Sequence, residues 1–414
     1  MTHSDTILSG VRVLDLSRVL AGPWATQMMG DMGADVVKVE RPGRGDDSRS
    51  YQPFARTPHG EITRESGFFL CANRNKRSLT ADLASSEGQA IVRALAMNCD
   101  VLVENYKVGD LGRYGLDYES LATLNPRLIY CSLTGYGQSG PYADRPGYDA
   151  VFQAQSGLMS VTGFPDETLG GGPMKAGISI VDILAGQNVV SAVLGALYRR
   201  ERHNERGQFI EVALLDSAMA AMSHINASYF VTGQIPQRRG SEGSGGMPAC
   251  TFRTADGAFY LSVGNDEQYE RLCLMLDRAD LSKDERFQTS YSRWIHRVEL
   301  MDVLSGIFNC WKNADLLPKL AANNVPAGAV NNVQEAFEDP HVRARALRFR
   351  MDHPLLETID QVANPIRFSR TPVRYERPPP MLGQHTDEIV RGWLGGSAGT
   401  PASETEPGPP HDYL

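Results

Sequence analysis

Short apolar runs alternate with helical segments along the first half of the chain. The run Val11–Leu16 is followed by a break at Gly22–Pro23, a helical segment at 25–32 and a second apolar run at 34–39. Because short apolar runs bounded by turn residues are typical of buried strands, this order predicts a strand, a helix and a second strand. Further strand-like runs lie at 101–103, 128–131 and 209–212, with helical segments at 88–97 and 183–200. The alternation predicts an α/β fold in which helices cover a parallel sheet.

The loops after the predicted strands are the first places to look for a ligand. In parallel sheets of this kind, ligands bind beyond the carboxyl ends of the strands. The loops that follow Leu16, Val39, Val103 and Cys131 are each rich in polar residues or glycine. We therefore expect the functional site at this edge of the sheet.

The composition of the sequence and the order of the predicted elements change near Asn226. A run rich in glycine and serine at 240–246 precedes a hairpin-like stretch at 251–263, and helical segments follow at 300–308 and 316–322. Two antiparallel strands followed by helices differ from the alternation in the first half of the chain. The change therefore predicts a separate, smaller domain.

Composition and charge argue against several classes of protein. The 414 residues carry 41 basic and 49 acidic side chains, so no positive field over the whole chain attracts nucleic acid or an anionic membrane. The six cysteines have no Cys-x-x-Cys spacing, which argues against a zinc site or redox pair and favours a reducing compartment. The N-terminal residues lack the pattern of a signal peptide, and no stretch is apolar for the roughly 18 residues of a membrane span. These features predict a cytoplasmic protein of the size of an enzyme.

Asp182 lies near the predicted start of the helical segment at 183–200. A carboxylate at such a place is typical of an N-cap, where it accepts hydrogen bonds from backbone N–H groups. A nucleophile is the alternative, because an ionised and partly desolvated oxygen attacks an acyl carbon whose oxyanion is stabilised by backbone N–H groups. The spacing alone does not choose between the two interpretations.

Basic residues form three groups in the N-terminal third of the chain. Because Arg and Lys are the usual partners of phosphate, the groups suggest one anion-binding pocket, and solvated surface charge is the alternative. The groups are Lys38, Arg41, Arg44 and Arg49, then Arg74, Lys76 and Arg77, then Lys107 and Arg113. Gly22, Gly30 and Gly33 do not form a G-x-G-x-x-G motif, and the sequence has no P-loop, no H-E-x-x-H motif and no G-x-S-x-G elbow after a predicted strand, so nicotinamide, ATP, metal and serine chemistry are not predicted.

Ordered motifs along nearly the whole chain resemble one enzyme family. They are Gly10–Ser17, Arg18–Pro23, Gly33–Gly43, Asn75–Ser78, Leu102–Asn105, Asn125–Ile129, Gly147–Ala150, Gln153–Ala154, Ser156–Met159, Gly207–Gln208 and Gly383–Glu388. The family is the class III coenzyme A transferases, also called CaiB/BaiF, which includes formyl-CoA transferase, carnitine-CoA transferases and the α-methylacyl-CoA racemases.

The resemblance implies a fold and an assembly. It implies an interlocked homodimer in which each chain has a Rossmann-like large domain with a parallel sheet and a smaller inserted α+β domain. The predicted segments are 1–225 and 331–395 for the large domain, 226–330 for the small domain, and 396–414 for a mobile tail rich in Gly, Ser, Pro, Thr and Glu.

The resemblance also assigns site residues. Asp182 matches the family's catalytic aspartate. The positions that match the family's contacts around coenzyme A are Leu20, Ala21, Arg41, Asn105, Tyr106, Lys107, Arg113, Tyr148 and Asp149. A glycine loop that closes over the site in the family corresponds to Gly243, Gly245 and Gly246.

The activity that the resemblance implies is transfer of coenzyme A from an acyl-CoA to a free carboxylic acid. Asp182 would take the acyl group as a mixed anhydride, and the released CoA thiolate would then attack back to give an aspartyl-CoA thioester. An incoming small carboxylate would repeat the sequence in reverse. Each intermediate keeps the high-energy bond, so no ATP, metal or nicotinamide is expected, and the glycine loop would exclude water.

Two other functions are alternatives. A 2-methylacyl-CoA racemase or epimerase needs a general acid–base pair, and that branch of the family has a His-Asp step where this chain has Tyr148 and Asp149. A tyrosine, with a pKa near 10, is a poor base at neutral pH. A CoA-binding protein without turnover is the other alternative and would leave Asp182 idle.

The acceptor acid is only partly indicated by the sequence. Leu20 stands where formyl-CoA transferase has a substrate-contacting glutamine, which disfavours oxalate or formate as substrate. Arg18, Arg49 and Lys175 are candidates to bind a second carboxylate. They favour a dicarboxylate such as succinate, with succinyl-CoA as donor.

Overall fold

The computed structural model describes residues 6–243 and 245–395, which form two compact units. The first unit contains the described residues up to Gln155, then Ile178–Ala221 and those from Leu347 onward. The second contains Ser156–Gly177 and Met222–Ala346. The change of unit at 221/222 lies close to the expected 225/226, but the return lies at 347 and not at 331. Segment 156–177, expected in the large domain, belongs to the second unit, and the expected tail at 396–414 lies outside the described residues.

Thirteen strands and seventeen α-helices are assigned in the described residues. The strands are β1 (Arg12–Asp15), β2 (Asp35–Glu40), β3 (Phe54–Arg56), β4 (Ile62–Ser66), β5 (Lys76–Thr80), β6 (Val101–Glu104), β7 (Ile129–Thr134), β8 (Phe209–Ala213), β9 (Ala249–Arg253), β10 (Ala258–Ser262), β11 (Ala327–Ala329), β12 (Arg348–His353) and β13 (Glu357–Val362).

The helices are α1 (Ala21–Asp31), α2 (Gly67–Leu70), α3 (Ser86–Ala96), α4 (Tyr118–Leu124), α5 (Asp149–Gln155), α6 (Leu158–Val161), α7 (Ile180–His203), α8 (Leu214–Ala221), α9 (Ser223–Thr232), α10 (Asp266–Met275), α11 (Ala279–Lys283), α12 (Ser290–Ile295), α13 (Arg297–Phe308), α14 (Asn313–Ala322), α15 (Val333–Glu338), α16 (Pro340–Ala344) and α17 (Thr386–Leu394). Short 3-10 helices lie at Asp47–Ser50 and Leu111–Tyr114.

Six parallel strands form the central sheet of the first unit, in the order β5-β2-β1-β6-β7-β8. The predicted strand, helix and strand at the start of the chain and the predicted parallel sheet are confirmed. The chain builds outward from β1 through β2 to β5 and then crosses back to β6, on the other side of β1. The connections after β1 and β6 therefore run in opposite directions, and such a switch point opens a ligand crevice at the carboxyl edge.

Strand β5 is absent from the prediction because its sequence, Lys76–Thr80, is mostly polar. Lys76 is fully buried, and its ammonium lies 3.0 Å from the carboxylate of Asp15. The strand thus places a paired charge where hydrophobic periodicity expects an apolar side chain. A strand of this kind cannot be detected from the pattern of apolar positions in the sequence.

Helices cover both faces of the sheet in the first unit. On one face, α1 and α7 pack against the strands through residues such as Met29 and Val193. On the other face, α3, α4 and α17 pack against residues such as Leu14 and Val37. The C-terminal segment therefore returns to the large domain as a covering helix, and it adds no strand to the central sheet.

Helix α7 is the element that carries Asp182 into the site. Its 24 residues make it, among the helices of the described ranges, the one long and apolar enough to cross a membrane. Its residues Val189 and Val193 are fully buried in the core, on the face that packs against α1. That burial is typical of the central helix of a globular domain.

The second unit has an α+β structure of its own. Strands β9 and β10 form the predicted antiparallel hairpin, which is confirmed, and β11 pairs with the other edge of β10. Helices α10, α13 and α14 contribute residues such as Leu272, Phe308 and Leu316 to a core shared with Phe259 of β10.

Candidate active site

Asp182 lies in the first turn of α7, whose N-cap residue, Ser179, provides no side-chain cap. The cap comes from Asp149, at the start of α5. Its Oδ1 accepts hydrogen bonds from the backbone N–H groups of Val181, at 2.7 Å, and of Asp182, at 3.1 Å. The N-cap interpretation of Asp182 is therefore wrong, because the carboxylate that satisfies the free N–H groups of this helix belongs to a residue 33 positions earlier.

The carboxylate of Asp182 forms no hydrogen bond or ion pair with any other described residue. Burial and the nearby charge of Asp149 raise the pKa of Asp182 to about 7. Both causes act against the charged form, because desolvation and a like charge each disfavour ionisation. Above this pH the site contains an ionised oxygen with little solvation, which is the property that a carboxylate nucleophile needs.

The capping carboxylate is itself fixed. Asp149 is buried, and its Oδ2 accepts a hydrogen bond of 2.5 Å from Nε2 of Gln153, one turn later on α5. With both oxygens engaged, Asp149 is anchored to the backbone of α7 and to its own helix. Its charge therefore stays at one place relative to Asp182.

Close packing of α1 against α7 brings two further predicted residues to this site. A Cβ at Gly186 would lie 2.8 Å from the carbonyl oxygen of Ala21 and 3.1 Å from the ring of Trp24. Gly186 follows Asp182 by one turn, so the start of α1 lies beside the turn that carries the candidate nucleophile. Leu20 and Ala21 are both buried there.

The start of α1 has free hydrogen-bond donors. No side chain caps this helix, and the N–H groups of Ala21 and Gly22 form no hydrogen bond within the described residues. At α7 the corresponding N–H groups of Val181 and Asp182 are already taken by Asp149. Donors for an oxyanion beside Asp182 are therefore found at α1, whereas the sequence argument placed them at the helix of Asp182.

The loop between β1 and α1 is held by side chains from two other loops. Asn105, after β6, accepts a hydrogen bond from the N–H of Arg18 and donates one to its carbonyl oxygen, both at 2.8 Å. Asp46, after β2, accepts a hydrogen bond from the N–H of Val19 at 3.0 Å. The side chain of Asn105, expected at coenzyme A, is thus engaged with the backbone of this loop.

Most of the basic residues singled out in the sequence are paired inside the first unit. Lys38 and Lys76 are fully buried, and Lys38 lies 2.8 Å from Asp46. Burial opposes ionisation of Asp15, but the charges of Lys76 and Lys38 overcome this and lower its pKa to about 2. The remaining pairs are Arg49 with Glu40, Arg74 with Asp31, and Arg77 with Asp35. The prediction of one pocket formed by all three groups is therefore wrong, because these cations are paired with carboxylates of the first unit, most of them buried.

A cleft of about 270 Å³ lies beyond the carboxyl ends of β1 and β2. Three guanidinium groups and two tyrosines line it: Arg18, Arg41, Arg44, Tyr106 and Tyr114. The guanidinium of Arg18 lies 4.7 Å from the centre of the Tyr106 ring and 3.2 Å from the carboxylate of Asp47. The structure thus places Arg41 and Tyr106 together, as the resemblance implies.

Two other predicted contacts lie outside the lining of this cleft. Lys107 lines a neighbouring cavity of about 300 Å³, together with the buried carboxyl group of Glu104. Arg113 is exposed and paired with Asp110 at 2.7 Å. The structure therefore does not bring Lys107 and Arg113 into the cleft with Arg41.

The remaining predicted positions differ in their surroundings. Tyr148 is 70% exposed. The pKa of Tyr51, in the segment after β2, is raised mainly by the burial of Tyr51 and next by the nearby Tyr148. Gly243 and Gly246 lie in the second unit, where Gly243 donates its N–H to Ala249 and a Cβ at Gly246 would meet the carbonyl of Val263 at 2.3 Å. Gly245 has open space around it, and Ser244 lies outside the described residues.

The candidates for a second carboxylate also differ in their surroundings. Arg49 is buried and engaged with Glu40 through Nε and Nη2, at 2.7 and 2.9 Å, so it is not available to a substrate. Lys175 belongs to the second unit, and Arg18 lines the cleft of the first.

Two residues of the site were missed by reasoning from the sequence. Gly186 is one, and the signal for it was a glycine inside an apolar helical segment, which marks close packing. Asp46 is the other, and no local pattern indicates that it holds a loop 27 residues earlier in the chain. Within residues 6–243 and 245–395, no group of three or more His, Cys, Asp or Glu side chains is arranged to hold a metal ion.

Comparison with known proteins identifies the family. The sequence profile of CoA-transferase family III matches residues 8–386. A succinate–glutarate CoA-transferase of Agrobacterium fabrum is 47% identical over 94% of this chain and 96% of its own. The succinyl-CoA:glutarate CoA-transferase of Homo sapiens is 39% identical over 93% of this chain and 85% of its own.

A solved structure leads to the same assignment. The crystal structure of a CaiB/BaiF family protein from Brucella suis has a TM-score of 0.84 and 39% sequence identity. The match covers 94% of this chain and all of the other. This protein therefore belongs to CoA-transferase family III and is a CoA-transferase.

Proposed function

We propose that this enzyme transfers coenzyme A between succinyl-CoA and a small dicarboxylic acid such as glutarate, with Asp182 as covalent nucleophile. The observation that carries the proposal is the free carboxylate of Asp182 at the carboxyl edge of the sheet, with its pKa raised to about 7. The substrate class is taken from relatives named for succinate, glutarate and succinyl-CoA. We expect the same class here because the identity extends over nearly the whole chain.

The first half of the reaction forms two covalent intermediates on one side chain. An oxygen of Asp182 attacks the acyl carbon of the thioester, the C–S bond breaks, and CoA thiolate leaves a mixed anhydride behind. The thiolate then attacks the aspartyl carbonyl, which releases the donor carboxylate and gives an aspartyl-CoA thioester. The acceptor carboxylate attacks the aspartyl carbonyl of that thioester, the C–S bond breaks, and CoA thiolate leaves a second mixed anhydride. The thiolate then attacks the acceptor acyl carbon, which gives the acceptor acyl-CoA and frees the carboxylate of Asp182.

Each attack develops negative charge on a carbonyl oxygen. The free N–H groups of Ala21 and Gly22 at the start of α1 support a role for these two donors in stabilising that oxyanion. The N-terminal end of a helix also carries partial positive charge. Because both residues are buried, the donors act where few water molecules compete.

The cleft beside Arg41 suits the nucleotide part of coenzyme A. Its guanidinium groups, from Arg18, Arg41 and Arg44, offer charge-assisted hydrogen bonds to phosphate, and Tyr106 and Tyr114 offer aromatic surface to a base. Arg41 has no ion-pair partner among the described residues, so it is available to a phosphate. For Gly243, Gly245 and Gly246 we propose the role that the family resemblance implies, a glycine loop that excludes water from the anhydride.

A racemase is less well supported by this site. Racemisation needs two acid–base groups on opposite sides of the alpha carbon, but of the two carboxylates at the start of α7, Asp149 and Asp182, the one that is free is Asp182. Asp149 is committed to the backbone of α7, and Tyr148 is exposed. The relatives described above are named as transferases.

We further propose that the chain works as an interlocked homodimer in the cytoplasm. Helix α9 and the residues after it expose large apolar side chains: Phe230 is 77% exposed, Val231 85% and Ile235 73%. Adjacent exposed apolar residues are typical of a surface that a partner covers. Light scattering of the purified protein tests the assembly: a monomer at micromolar concentration would contradict it.

The function is tested by mixing the purified protein with succinyl-CoA and a panel of mono- and dicarboxylic acids. We expect glutaryl-CoA and succinate as products, without ATP, and no transfer by Asp182→Ala, whose affinity for CoA should stay within a few-fold. Failure of every acid on the panel, or full activity of Asp182→Ala, would contradict the proposal. Racemisation of a 2-methylacyl-CoA, followed by chiral analysis, would instead support the alternative.

A further inference from the structure

Val19 has an unusual backbone conformation, with φ of +71°. This is the left-handed region, which a β-branched residue adopts only under constraint because its branched Cβ crowds the neighbouring carbonyl oxygen. Val19 lies between Arg18 and Leu20, immediately before the first turn of α1. Only Leu20 separates this constrained residue from Ala21 and Gly22, whose N–H groups are free.

Side chains from two other loops hold the backbone on the N-terminal side of Val19. The amide of Asn105 brackets the peptide of Arg18 with two hydrogen bonds of 2.8 Å, one to its N–H and one from its own Nδ2 to the carbonyl oxygen. The carboxylate of Asp46 accepts the N–H of Val19 itself. The buried ammonium of Lys38 lies 2.8 Å from the other oxygen of Asp46 and fixes it in turn.

The conformation of Val19 sets the direction in which α1 begins. The chain leaves β1, reverses at Arg18–Leu20 and starts the helix with Ala21 packed beside Gly186, one turn from Asp182. If φ of Val19 relaxed to a negative value, the first turn of α1 would move relative to Asp182. Strained backbone that is held by its surroundings is typical of sites whose geometry is fixed before the substrate binds.

We propose that Asn105 is a positioning residue: by bracketing Arg18 it keeps Val19 left-handed and so holds the N–H groups of Ala21 and Gly22 in place for the acyl oxygen on Asp182. This inference rests on the proposed function. It assigns the side chain of Asn105 to the protein's own backbone, whereas the family resemblance implies a contact with coenzyme A.

A pair of substitutions tests the inference. Asn105→Ala should lower kcat by about ten-fold, the factor expected when a left-handed residue loses its support, with KM for succinyl-CoA changed by less than about three-fold. Adding Val19→Gly to Asn105→Ala should restore most of the lost kcat, because glycine adopts positive φ about as readily as negative φ and needs no bracket.

Asn125→Ala is the matched control. The side chain of Asn125 also brackets backbone, since its Nδ2 donates to the carbonyl oxygens of Ala96 and Cys99 at 2.9 and 2.8 Å, but it precedes β7 at the opposite edge of the sheet. We expect Asn125→Ala to lower the melting temperature and leave kcat unchanged. Amide hydrogen exchange in the peptide that covers residues 20–24, where the N–H of Trp24 donates to the carbonyl oxygen of Leu20 at 2.7 Å, should become faster in Asn105→Ala and stay as in the wild type in Asn125→Ala.

The possible outcomes separate the explanations. An Asn105→Ala enzyme with weaker CoA binding and unchanged kcat would make Asn105 a ligand of coenzyme A and overturn the inference. Loss of kcat without rescue by Val19→Gly, or unchanged hydrogen exchange at 20–24, would also overturn it. A wild-type protein that transfers coenzyme A to no acid would contradict the proposed function instead, while the hydrogen-exchange comparison would still decide the role of Asn105.

Discussion

The carboxylate of Asp149 accepts a hydrogen bond from the backbone N–H of Asp182, at 3.1 Å, and its charge helps to raise the pKa of the Asp182 side chain. One acidic residue therefore has two effects on the other. It fixes the start of the helix that carries Asp182, and it makes the carboxylate of Asp182 more basic. The two aspartates differ in role because the carboxylate of Asp149 is hydrogen-bonded to the backbone of α7 and to Gln153, whereas the carboxylate of Asp182 is free to react.

The first prediction concerns the dependence of transfer on pH. Because Asp182 must be ionised to attack, kcat/KM should rise with pH through about 7 in the wild type. Asp149→Asn keeps an oxygen to accept the N–H groups of α7 but removes the like charge, so the midpoint should move about one unit to lower pH. The profile of log kcat/KM against pH measures the shift.

A matched control for this prediction is Asp339→Asn. Asp339 also caps a helix by accepting two N–H groups, those of His341 and Val342, but it lies in the second unit. It should leave the profile unchanged. An unshifted midpoint in Asp149→Asn would show that the charge of Asp149 does not control Asp182.

The second prediction concerns stability. The pKa of Asp182 is raised in the folded protein from 3.8 to about 7, so the folded state retains a proton that the unfolded state loses as pH rises. The free energy of unfolding therefore decreases between about pH 4 and 7 on account of this group. Asp182→Asn does not titrate, so it should be more stable than the wild type at pH 8, by about 1–2 kcal/mol after allowance for partial exposure.

Thermal unfolding of both proteins across the pH range checks this prediction. The gain in melting temperature should be small near pH 4, grow towards pH 7 and then level off. A gain that is constant from pH 4 to 8 would mean that ionisation of Asp182 is not its cause.

The third prediction concerns the crossing of α1 and α7. Gly186→Ala places a Cβ within 2.8 Å of the carbonyl oxygen of Ala21, so the two helices must separate. We expect a loss of about 1–3 kcal/mol in the free energy of unfolding, as for overpacked cores, and a lower kcat because the donors move away from Asp182.

Gly195→Ala, on the same helix, is the control. A Cβ at Gly195 meets nothing within 4 Å, so this change should stabilise the protein by about 0.5–1 kcal/mol through helix propensity and leave kcat unchanged. Denaturant unfolding and steady-state kinetics measure both effects. Equal behaviour of the two variants would contradict the close contact at Gly186.

The fourth prediction concerns binding of coenzyme A. Arg41→Ala should weaken the affinity for CoA by about 1–3 kcal/mol, the range for loss of a charge-assisted hydrogen bond. Arg199→Ala, at the far end of α7 and paired with Glu205, should have no effect. Arg113→Ala should cost less than Arg41→Ala, because the guanidinium of Arg113 is already paired with Asp110. Calorimetry with CoA measures the affinity of all three variants. An unchanged affinity in Arg41→Ala would show that Arg41 does not bind CoA.

The sequence predicted the features that depend on local pattern. The first strands and α1 follow from apolar runs and a glycine break, and Asp182 was identified by its match to a family motif. Strand β5 was not predicted, because the charge of Lys76 is cancelled by Asp15 from another strand. The N-cap interpretation, one of the two left open for Asp182, was wrong because the capping residue Asp149 is distant in sequence.

The burial of the basic residues also could not be predicted from the local sequence. Lys38 and Arg41 are three positions apart in the sequence, yet Lys38 is fully buried beside Asp46 and Arg41 is exposed at the cleft. Lys38 lies inside β2, which is covered on both faces, whereas Arg41 lies just beyond the end of this strand. Neither the partners nor the burial of a cation can be derived from its sequence neighbours.

The central claim is that Asp182 becomes covalently acylated during transfer. Incubating the enzyme with succinyl-CoA and hydroxylamine should trap the anhydride or thioester as a hydroxamate. Peptide mass spectrometry should then find the modification on Asp182, and the Asp182→Asn enzyme should remain unmodified under the same conditions. Modification of another residue, or transfer at the full rate with no modification of Asp182, would contradict the account.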